Sequence, residues 1–302
     1  MMERKTVAAI ALTILCWASS PTGIRIGLTG YGPVHVALMR FVIASLFMCG
    51  YAAWSGIRMP LLRDVPQLAA LGIFGVTLHH IALNFGQQGI SAGAASLLAQ
   101  STPLFTAILS SIFCREKLGS GGWAGLLLGL AGIACVVLGD SSEFRFQPTA
   151  LCVVLAAISW SIYFILQKPL LERYTPLELT CYAVWSGTAL MFLFARGLVD
   201  SVLHAPLGST LGLVYLGIFP SALAYLTWSY ALARLPVGRT SSLLYLVPPT
   251  AMLIAWFVLG ETPRPAAFVG GGIVLLGIGL VKASSPAPAR PASESEGWGL
   301  KR

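Results

Sequence analysis

Two adjacent histidines, His79 and His80, are the residues of this chain best suited to acid–base chemistry, because imidazole exchanges a proton near neutral pH. They lie near the middle of an apolar stretch, where a polar group is costly and is therefore a candidate for a functional site. Asp and Glu occur only at or near the ends of the apolar stretches. A histidine is therefore the candidate for a group that carries protons, and the alternative is that the protein moves no protons. The structural alternative is a histidine hydrogen-bonded between helices.

Further candidates are polar and aromatic side chains inside other apolar stretches. Their amide, hydroxyl and ring groups offer hydrogen bonds and stacking faces to an amphipathic or aromatic small molecule. Packing between helices and the aromatic belt at the membrane surface are the structural alternatives for the rings. With His79 and His80, the predicted lining of a substrate cavity is Trp17, Gln100, Ser101, Trp160, Tyr163, Tyr225, Ser241 and Tyr245.

Arg40 is the one basic residue well inside an apolar stretch, and it is a candidate for steering an anionic group such as a carboxylate. It equally suits bonding to carbonyls of a neighbouring helix, and it lies near enough to the outer surface to snorkel. With few deep basic residues, a neutral or zwitterionic substrate fits better than a phosphorylated one.

Enzyme signatures are missing from the sequence. There is no Walker A sequence, no H-E-x-x-H and no G-x-S-x-G, so direct use of ATP and hydrolysis have no support. The six cysteines lie in or beside apolar stretches without C-x-x-C spacing, which is typical of small buried hydrophobes. We therefore expect no catalytic residues, no metal and no cofactor. An intramembrane enzyme using His79 and His80 is kept as an alternative.

The elements that must position these residues are membrane spans. Of the 302 residues, 56% are hydrophobic and 10% are charged, against roughly 25% charged in soluble domains. Spans of about 20 apolar residues are long enough to cross a bilayer. The sequence predicts ten of them, at 6–27, 33–54, 67–88, 92–114, 122–139, 149–168, 176–198, 210–232, 237–259 and 266–282.

Basic residues predict the orientation. With a cytoplasmic N-terminus, most of the 19 Lys and Arg residues fall in cytoplasmic segments, as the positive-inside rule requires. The net charge of +8 is therefore read as a topology signal, and no nucleic-acid partner is expected. The sequence predicts a multi-pass protein of the cell inner (plasma) membrane with both termini cytoplasmic. The outside segments hold only Arg25, Arg145, Arg196 and Arg264.

An internal repeat decides the fold prediction. Leu71-Gly72-Ile73-Phe74 recurs as Leu216-Gly217-Ile218-Phe219, and in the same ungapped register Pro103 falls on Pro248. Because each unit has an odd number of spans, the second enters the membrane from the other side. We predict an all-α integral membrane protein with ten transmembrane helices, arranged as two inverted five-helix repeats around a central cavity. Its units are residues 1–140 and 141–283, followed by a disordered cytoplasmic tail at 284–302.

Prolines mark possible moving elements. Pro103 in the fourth span and Pro248 and Pro249 in the ninth remove backbone donors, so both helices should kink there. Matching kinks in the two units predict a pair of hinges. A static bend is the alternative.

The order of these motifs resembles the drug/metabolite transporter superfamily, in its ten-helix EamA-type branch. The resemblance rests on tryptophan followed by a basic residue in the first helix of each unit, on Pro-x(6)-Arg opening the second helix, and on proline and glutamate in the fourth. It covers about residues 5–282, although the second unit has Ala183 where the first has its arginine. The residues are Trp17 with Arg25, Trp160 with Lys168, Pro33 with Arg40, Pro103 with Glu116, and Pro248 with Glu261.

The resemblance implies a secondary transporter that exports small amphipathic metabolites, in particular neutral or aromatic amino acids. Alternating access would move the third and fourth helices against the eighth and ninth around a cavity at the membrane midplane. An exporter of drugs or other metabolites with the same fold is the alternative within this class. The expected partners are a small-molecule substrate and membrane lipid, and the protein is a monomer or a homodimer.

Overall fold

The computed structural model describes residues 4–113, 119–139, 147–232, 244–262 and 264–284, and these ranges contain helices and no strand. Apolar sequences with few breakers favour helices because a helix satisfies its backbone hydrogen bonds internally. The α-helices are α1 (Arg4–Gly27), α2 (Pro33–Ser55), α3 (Val65–Gly72), α4 (His79–Gly86), α5 (Ala92–Ala99), α6 (Thr102–Phe113), α7 (Ser120–Gly139), α8 (Pro148–Gln167), α9 (Pro176–Met191), α10 (Leu198–His204), α11 (Leu207–Ile218), α12 (Ala224–Leu232), α13 (Val247–Leu259) and α14 (Pro265–Ser284).

Seven helical segments in the described ranges are long and apolar enough to cross a membrane. Three shorter apolar helices, Ser120–Cys135, Val247–Leu259 and Pro265–Leu280, lie where further spans are predicted. Large apolar side chains such as Leu46, Leu193 and Phe257 are exposed on the outside of the bundle, as lipid contact requires. The prediction of an all-α membrane protein is confirmed, whereas the count of ten spans and the division at residue 140 stay predictions.

Two π-helical turns interrupt the helices at equivalent places in the repeat. Ile73–Leu78 joins α3 to α4, and Phe219–Leu223 joins α11 to α12. The second turn contains Pro220, which has no N–H to continue the α-helical ladder. The repeat register places Gly75 at the corresponding position in the first turn. π turns occur frequently at functional sites, and the residues that follow these two turns form the site described below.

The fourth predicted span is two helices rather than one kinked helix. Ser101 lies between α5 and α6, and its hydroxyl and backbone N–H both donate to the carbonyl of Leu98, at 2.6 and 3.0 Å. Pro103 lies in the first turn of α6, where its missing N–H costs no hydrogen bond. Pro248 and Pro249 likewise lie in the first turn of α13, which follows the 3₁₀ turn Leu244–Leu246. Movement about these prolines stays a prediction.

Glycines let the last helices of the two units pack backbone against backbone. A Cβ atom built on Gly277 of α14 would lie 2.6 Å from the carbonyl oxygen of Gly125, and one on Gly132 of α7 would lie 2.7 Å from that of Gly270. No side chain fits at such a crossing. We call this contact the glycine seam; it is the most extensive helix–helix contact in the described ranges.

Ionic contacts tie the loops together at one end of the bundle, called here the Arg58 end. Asp64 is 4% exposed and accepts hydrogen bonds from Arg173 Nη1 at 2.7 Å and from the Tyr174 hydroxyl at 2.9 Å. Glu178 accepts from Arg58 Nε at 2.9 Å. This hydrogen bond, together with the charge of Glu178, raises the pKa of the Arg58 guanidinium above its ordinary value. The opposite end is called the Arg25 end.

The glycine seam predicts that Gly277→Val destabilises the protein while Gly279→Val does not. The valine side chain at position 277 would overlap the α7 backbone and cost about 1–3 kcal/mol. Gly279 lies in the same helix, and a Cβ added there would have no atom within 4 Å. Thermal unfolding of the two variants in detergent measures the difference, and equal melting temperatures would contradict the close approach.

From the hydrogen bonds of Asp64 we predict that Asp64→Asn lowers the free energy of unfolding by about 1–2 kcal/mol. One carboxylate oxygen is replaced by an NH₂ group, which places a donor opposite the donors of Arg173 or Tyr174. Asp200→Asn is the matched control, because the Asp200 side chain is 81% exposed. Thermal unfolding again provides the measurement. A loss of the same size in the control would show that the contacts of Asp64 do not matter.

Candidate functional site

A cluster of rings lies at the centre of the bundle, between the two units. The Trp160 ring on α8 lies 4.5 Å from that of His79, 5.1 Å from that of Tyr163 and 6.5 Å from that of Tyr225, measured between centroids. Trp17 on α1 joins it through Tyr225, at 5.7 Å in an edge-to-face arrangement. These five residues and His80 are six of the ten predicted lining residues, and we call them the ring cluster. The structure brings these six residues together, and their contact with a substrate stays a prediction.

The π turns position the ring cluster from both sides. His79 and His80 begin α4 directly after the first turn, and Tyr225, the repeat counterpart of His80, lies at the start of α12 after the second. Each turn also offers a carbonyl to a helix of the other unit. Trp17 Nε1 donates to the carbonyl of Pro220 at 3.1 Å, and the Ser159 hydroxyl donates to that of Phe74 at 2.7 Å.

The two histidines have different surroundings. His79 Nδ1 lies 2.8 Å from the carbonyl oxygen of Ala156, and since a carbonyl only accepts, this nitrogen carries the proton. His80 is 4% exposed, and neither of its ring nitrogens has a hydrogen-bond partner among the described residues. Its ring instead packs on Phe41 at 4.5 Å between centroids. His80 is therefore a buried polar group with unused hydrogen-bonding capacity.

Arg40 does not snorkel to the surface, because it is only 2% exposed. Its Nε donates to the hydroxyl of Ser221 in the second π turn, and Nη1 has no partner in the described part of the chain. Its Cζ lies 5.4 Å from the centroid of the Phe41 ring, which also packs on His80. A buried guanidinium with an unused donor is costly unless an acceptor completes its hydrogen bonds. Arg40 and His80 thus both contact the Phe41 ring, and each has a nitrogen without a hydrogen-bond partner among the described residues.

The cavity beside the ring cluster is small. Its volume is about 10 Å³, close to the space that one water molecule needs. The Tyr163 ring lies directly against Gly75, where no Cβ would fit. The central cavity predicted from the sequence is therefore largely filled by the rings themselves. Its lining residues are Gly75, Val76, Trp160, Tyr163, Thr180, Ala183, Val184 and Tyr225.

The remaining predicted site residues lie elsewhere or outside the described ranges. Gln100 and Ser101 lie at the break between α5 and α6, and the Ser101 hydroxyl is used by that break. Ser241 lies outside the described residues. The backbone of Tyr245 belongs to the Leu244–Leu246 turn, and its side chain is outside the description.

Sequence reasoning missed two residues of the site. Phe41 looks like any other apolar residue of its helix, and only its position next to Arg40 marks it. Ser221 follows Pro220, and the sequence could have indicated it as a site residue because it is a hydroxyl residue beside a proline inside an apolar span. Arg40 and Ser221 place hydrogen-bonding groups beside the ring cluster, and Phe41 adds one more ring. Flat rings beside an incompletely paired guanidinium suit binding of a small molecule with an apolar part and an anionic group.

Comparison with known proteins identifies the class. The sequence profile of the EamA-like transporter family matches residues 4–138 and residues 147–283. A probable terminal-alkyne amino-acid exporter of Streptantibioticus cattleyicolor is 37% identical over 293 residues, covering 97% of this chain and 98% of that protein. The uncharacterized transporter YdfC of Bacillus subtilis is 35% identical over 281 residues, covering 92% of each chain.

A more distant relative and a solved structure support the same assignment to a membrane transporter fold. The uncharacterized inner membrane transporter YedA of Escherichia coli is 25% identical over 280 residues, covering 91% of this chain and 89% of that protein. One crystal structure of a protein covers 94% of this chain and 98% of its own with a TM-score of 0.62 at 21% identity, which shows a shared fold. The family and these curated relatives are transporters rather than enzymes. The chain belongs to the EamA-like transporter family of the drug/metabolite transporter superfamily and is a multi-pass membrane transporter of small molecules.

Proposed function

We propose that this transporter exports small amphipathic amino acids, neutral or aromatic, by alternating access. The observation that carries the proposal is the pairing of Arg40, buried with an unused donor, with the ring cluster. An α-amino acid has the matching parts, a carboxylate and an apolar side chain. The relative of Streptantibioticus cattleyicolor, named as a probable exporter of terminal-alkyne amino acids, supports the same class.

The carboxylate is assigned to Arg40. Nε of Arg40 is held by Ser221, so the guanidinium is fixed while Nη1 stays available. Hydrogen bonds between ionised partners are worth more than neutral ones, and more again where water is excluded. His80 packs on the same Phe41 ring and offers a further donor or acceptor. Binding a carboxylate here would complete hydrogen bonds that the described residues leave open.

The apolar side chain is assigned to Trp160 and its neighbours. Trp160 lies tilted against both His79 and Tyr163, so its ring already belongs to a stack that a flat or slender side chain can extend. Ring stacking and dispersion tolerate several shapes of side chain, since they need area rather than a fixed set of donors.

Entry of a substrate requires movement, because the cavity of about 10 Å³ holds no amino acid. The elements beside the cluster that are suited to move are those with irregular backbone, namely the π turns and the break between α5 and α6. We assign the motion to α3–α6 against α11–α13. We also assign the Arg58 end and both termini to the cytoplasm, on the distribution of basic residues.

Proteoliposomes test the function directly. Purified protein is reconstituted, and uptake of labelled L-phenylalanine and of L-propargylglycine is measured with and without a pH gradient. Saturable uptake that unlabelled amino acid competes for is the expected result. Absence of saturable flux for every neutral amino acid tested would refute the proposed substrate class and leave the family assignment standing.

Arg40→Gln should remove the preference for a carboxylate. We expect L-phenylalanine to compete for uptake at least about tenfold better than L-phenylalaninamide in the unmodified protein, since one charge-assisted hydrogen bond is worth about 1.5–3 kcal/mol. In Arg40→Gln the two competitors should approach equal potency. A ratio unchanged by the substitution would show that Arg40 does not contact the carboxylate, whatever happens to the overall rate.

Trp160→Ala should raise the KM for L-phenylalanine about tenfold, because a stacking face of the ring cluster is lost. The KM for L-alanine should change less, since its side chain offers little area. Trp54→Ala is the matched control, because Trp54 is 82% exposed. An equal change for both amino acids would indicate a structural role for Trp160.

A further inference from the structure

A second cavity, of about 330 Å³, opens at the Arg25 end, away from the ring cluster. This volume reaches the lower end of the range that small-molecule sites occupy. The cavity lies where α1 ends, where the chain passes from α4 to α5 and where it passes from α13 to α14. Its lining residues are Arg25, Gln88, Gly89, Ile90, Ser91, Glu261, Thr262 and Arg264.

The charged groups of this cavity are two guanidiniums and one carboxylate. Glu261 already has two partners, because Oε1 accepts from Arg25 Nε at 3.1 Å and Oε2 accepts from the N–H of Ala92 at 2.9 Å. Arg25 also donates from Nη1 to the carbonyl of Gln87 at 2.9 Å, which fixes it in place. Arg264 is exposed and forms no ion pair with any described residue. The lining therefore carries one positive charge in excess, on an exposed side chain that pairs with no carboxylate of the described ranges.

Polar capacity remains beside the charged groups. Gln87, whose carbonyl binds Arg25, does not itself line the cavity; it is 0% exposed, and neither atom of its side-chain amide has a hydrogen-bond partner in the described ranges. The Glu261 carboxylate has about four lone-pair directions, of which two are used. A ligand with one negative and one positive group finds a cation in Arg264 and an acceptor in Glu261.

We propose that this cavity is a second binding site for the transported amino acid, in which Arg264 binds the α-carboxylate and Glu261 the α-ammonium. The proposal rests on the proposed function for the identity of the ligand, and under the proposed orientation this end faces outward. The site holds the zwitterion after it leaves the ring cluster. Because its charged groups recognise the backbone part of the amino acid, it tolerates many side chains.

Protection from chemical labelling tests this site separately from transport. Thr262→Cys places a thiol in the cavity lining, and the protein is held in nanodiscs so that both faces are accessible. The rate of maleimide labelling at position 262 is read by mass spectrometry, with the native cysteines left in place. L-phenylalanine and L-propargylglycine should slow the labelling in a saturable manner, whereas 2-phenylethylamine, which lacks the carboxylate, should not.

Second substitutions assign the charges. Arg264→Gln should raise the half-protecting concentration of L-phenylalanine about threefold, as expected for loss of one ion pair at an exposed site. Arg196→Gln is the matched control, since Arg196 is exposed and does not line the cavity. Arg40→Gln should leave the protection intact, because it alters only the ring cluster.

Three results overturn the proposal: no protection by either amino acid, equal protection by 2-phenylethylamine, or protection that is insensitive to Arg264→Gln. Loss of protection in Arg40→Gln would also overturn it, since the effect would then originate at the ring cluster. Protection without amino-acid flux in proteoliposomes refutes the proposed function and keeps the binding site. Flux without protection refutes this site and keeps the function.

Discussion

Backbone hydrogen bonding inside an apolar bundle is the constraint on which this structure depends. Water is absent from the bilayer core, so every change in the helical ladder must be satisfied by the protein itself. The two π turns are such changes, and each passes a carbonyl to a helix of the other unit, through Trp17 in one case and Ser159 in the other. The irregular backbone therefore links the two units at the level of the ring cluster, and the site exists because the ladder is broken there.

Much of the fold was predictable because its causes are local. Apolar runs and breakers set the helices, and the described helix ends lie within a few residues of the predicted spans in most cases. The break between α5 and α6 was not foreseen, because a proline in a long apolar run indicates a kink and only tertiary context decides whether the helix stops. The π turns were not predictable either. Pro220 suggests the second, but nothing except the repeat register connects it with Gly75 and the first.

The residues of the candidate site were also predictable only in part. An intramembrane His79, His80 or Trp160 attracts attention on the energetic cost of burial or on ring chemistry, and the structure brings these residues together. Arg40 also attracts attention, yet its distance from the nearest polar surface cannot be read from spacing, and snorkelling was an equally sound expectation. Phe41 and Ser221 gain their meaning only from contacts between helices that lie far apart in the chain.

The centre of the bundle holds polar groups where apolar side chains would be more stable. Arg40 and His80 have nitrogens without a partner among the described residues; such groups cost stability, and a pair of apolar side chains in their place would pack at no such cost. Conflicts of this kind between local chemistry and packing are expected at functional sites. The ion pairs and the glycine seam supply compensating contacts away from the centre.

The glycine seam joins a helix that is synthesised early to one that is synthesised last, so these helices do not pack in the order of their synthesis. α7 is the last helix of the predicted first unit, yet its principal contact is α14, the last helix in the described part of the chain. While the second unit is being made, the glycine face of α7 lacks the helix that covers it in the final structure. The first unit therefore completes its packing only when the second has been inserted, so the two units reach their final structure as one body rather than one after the other.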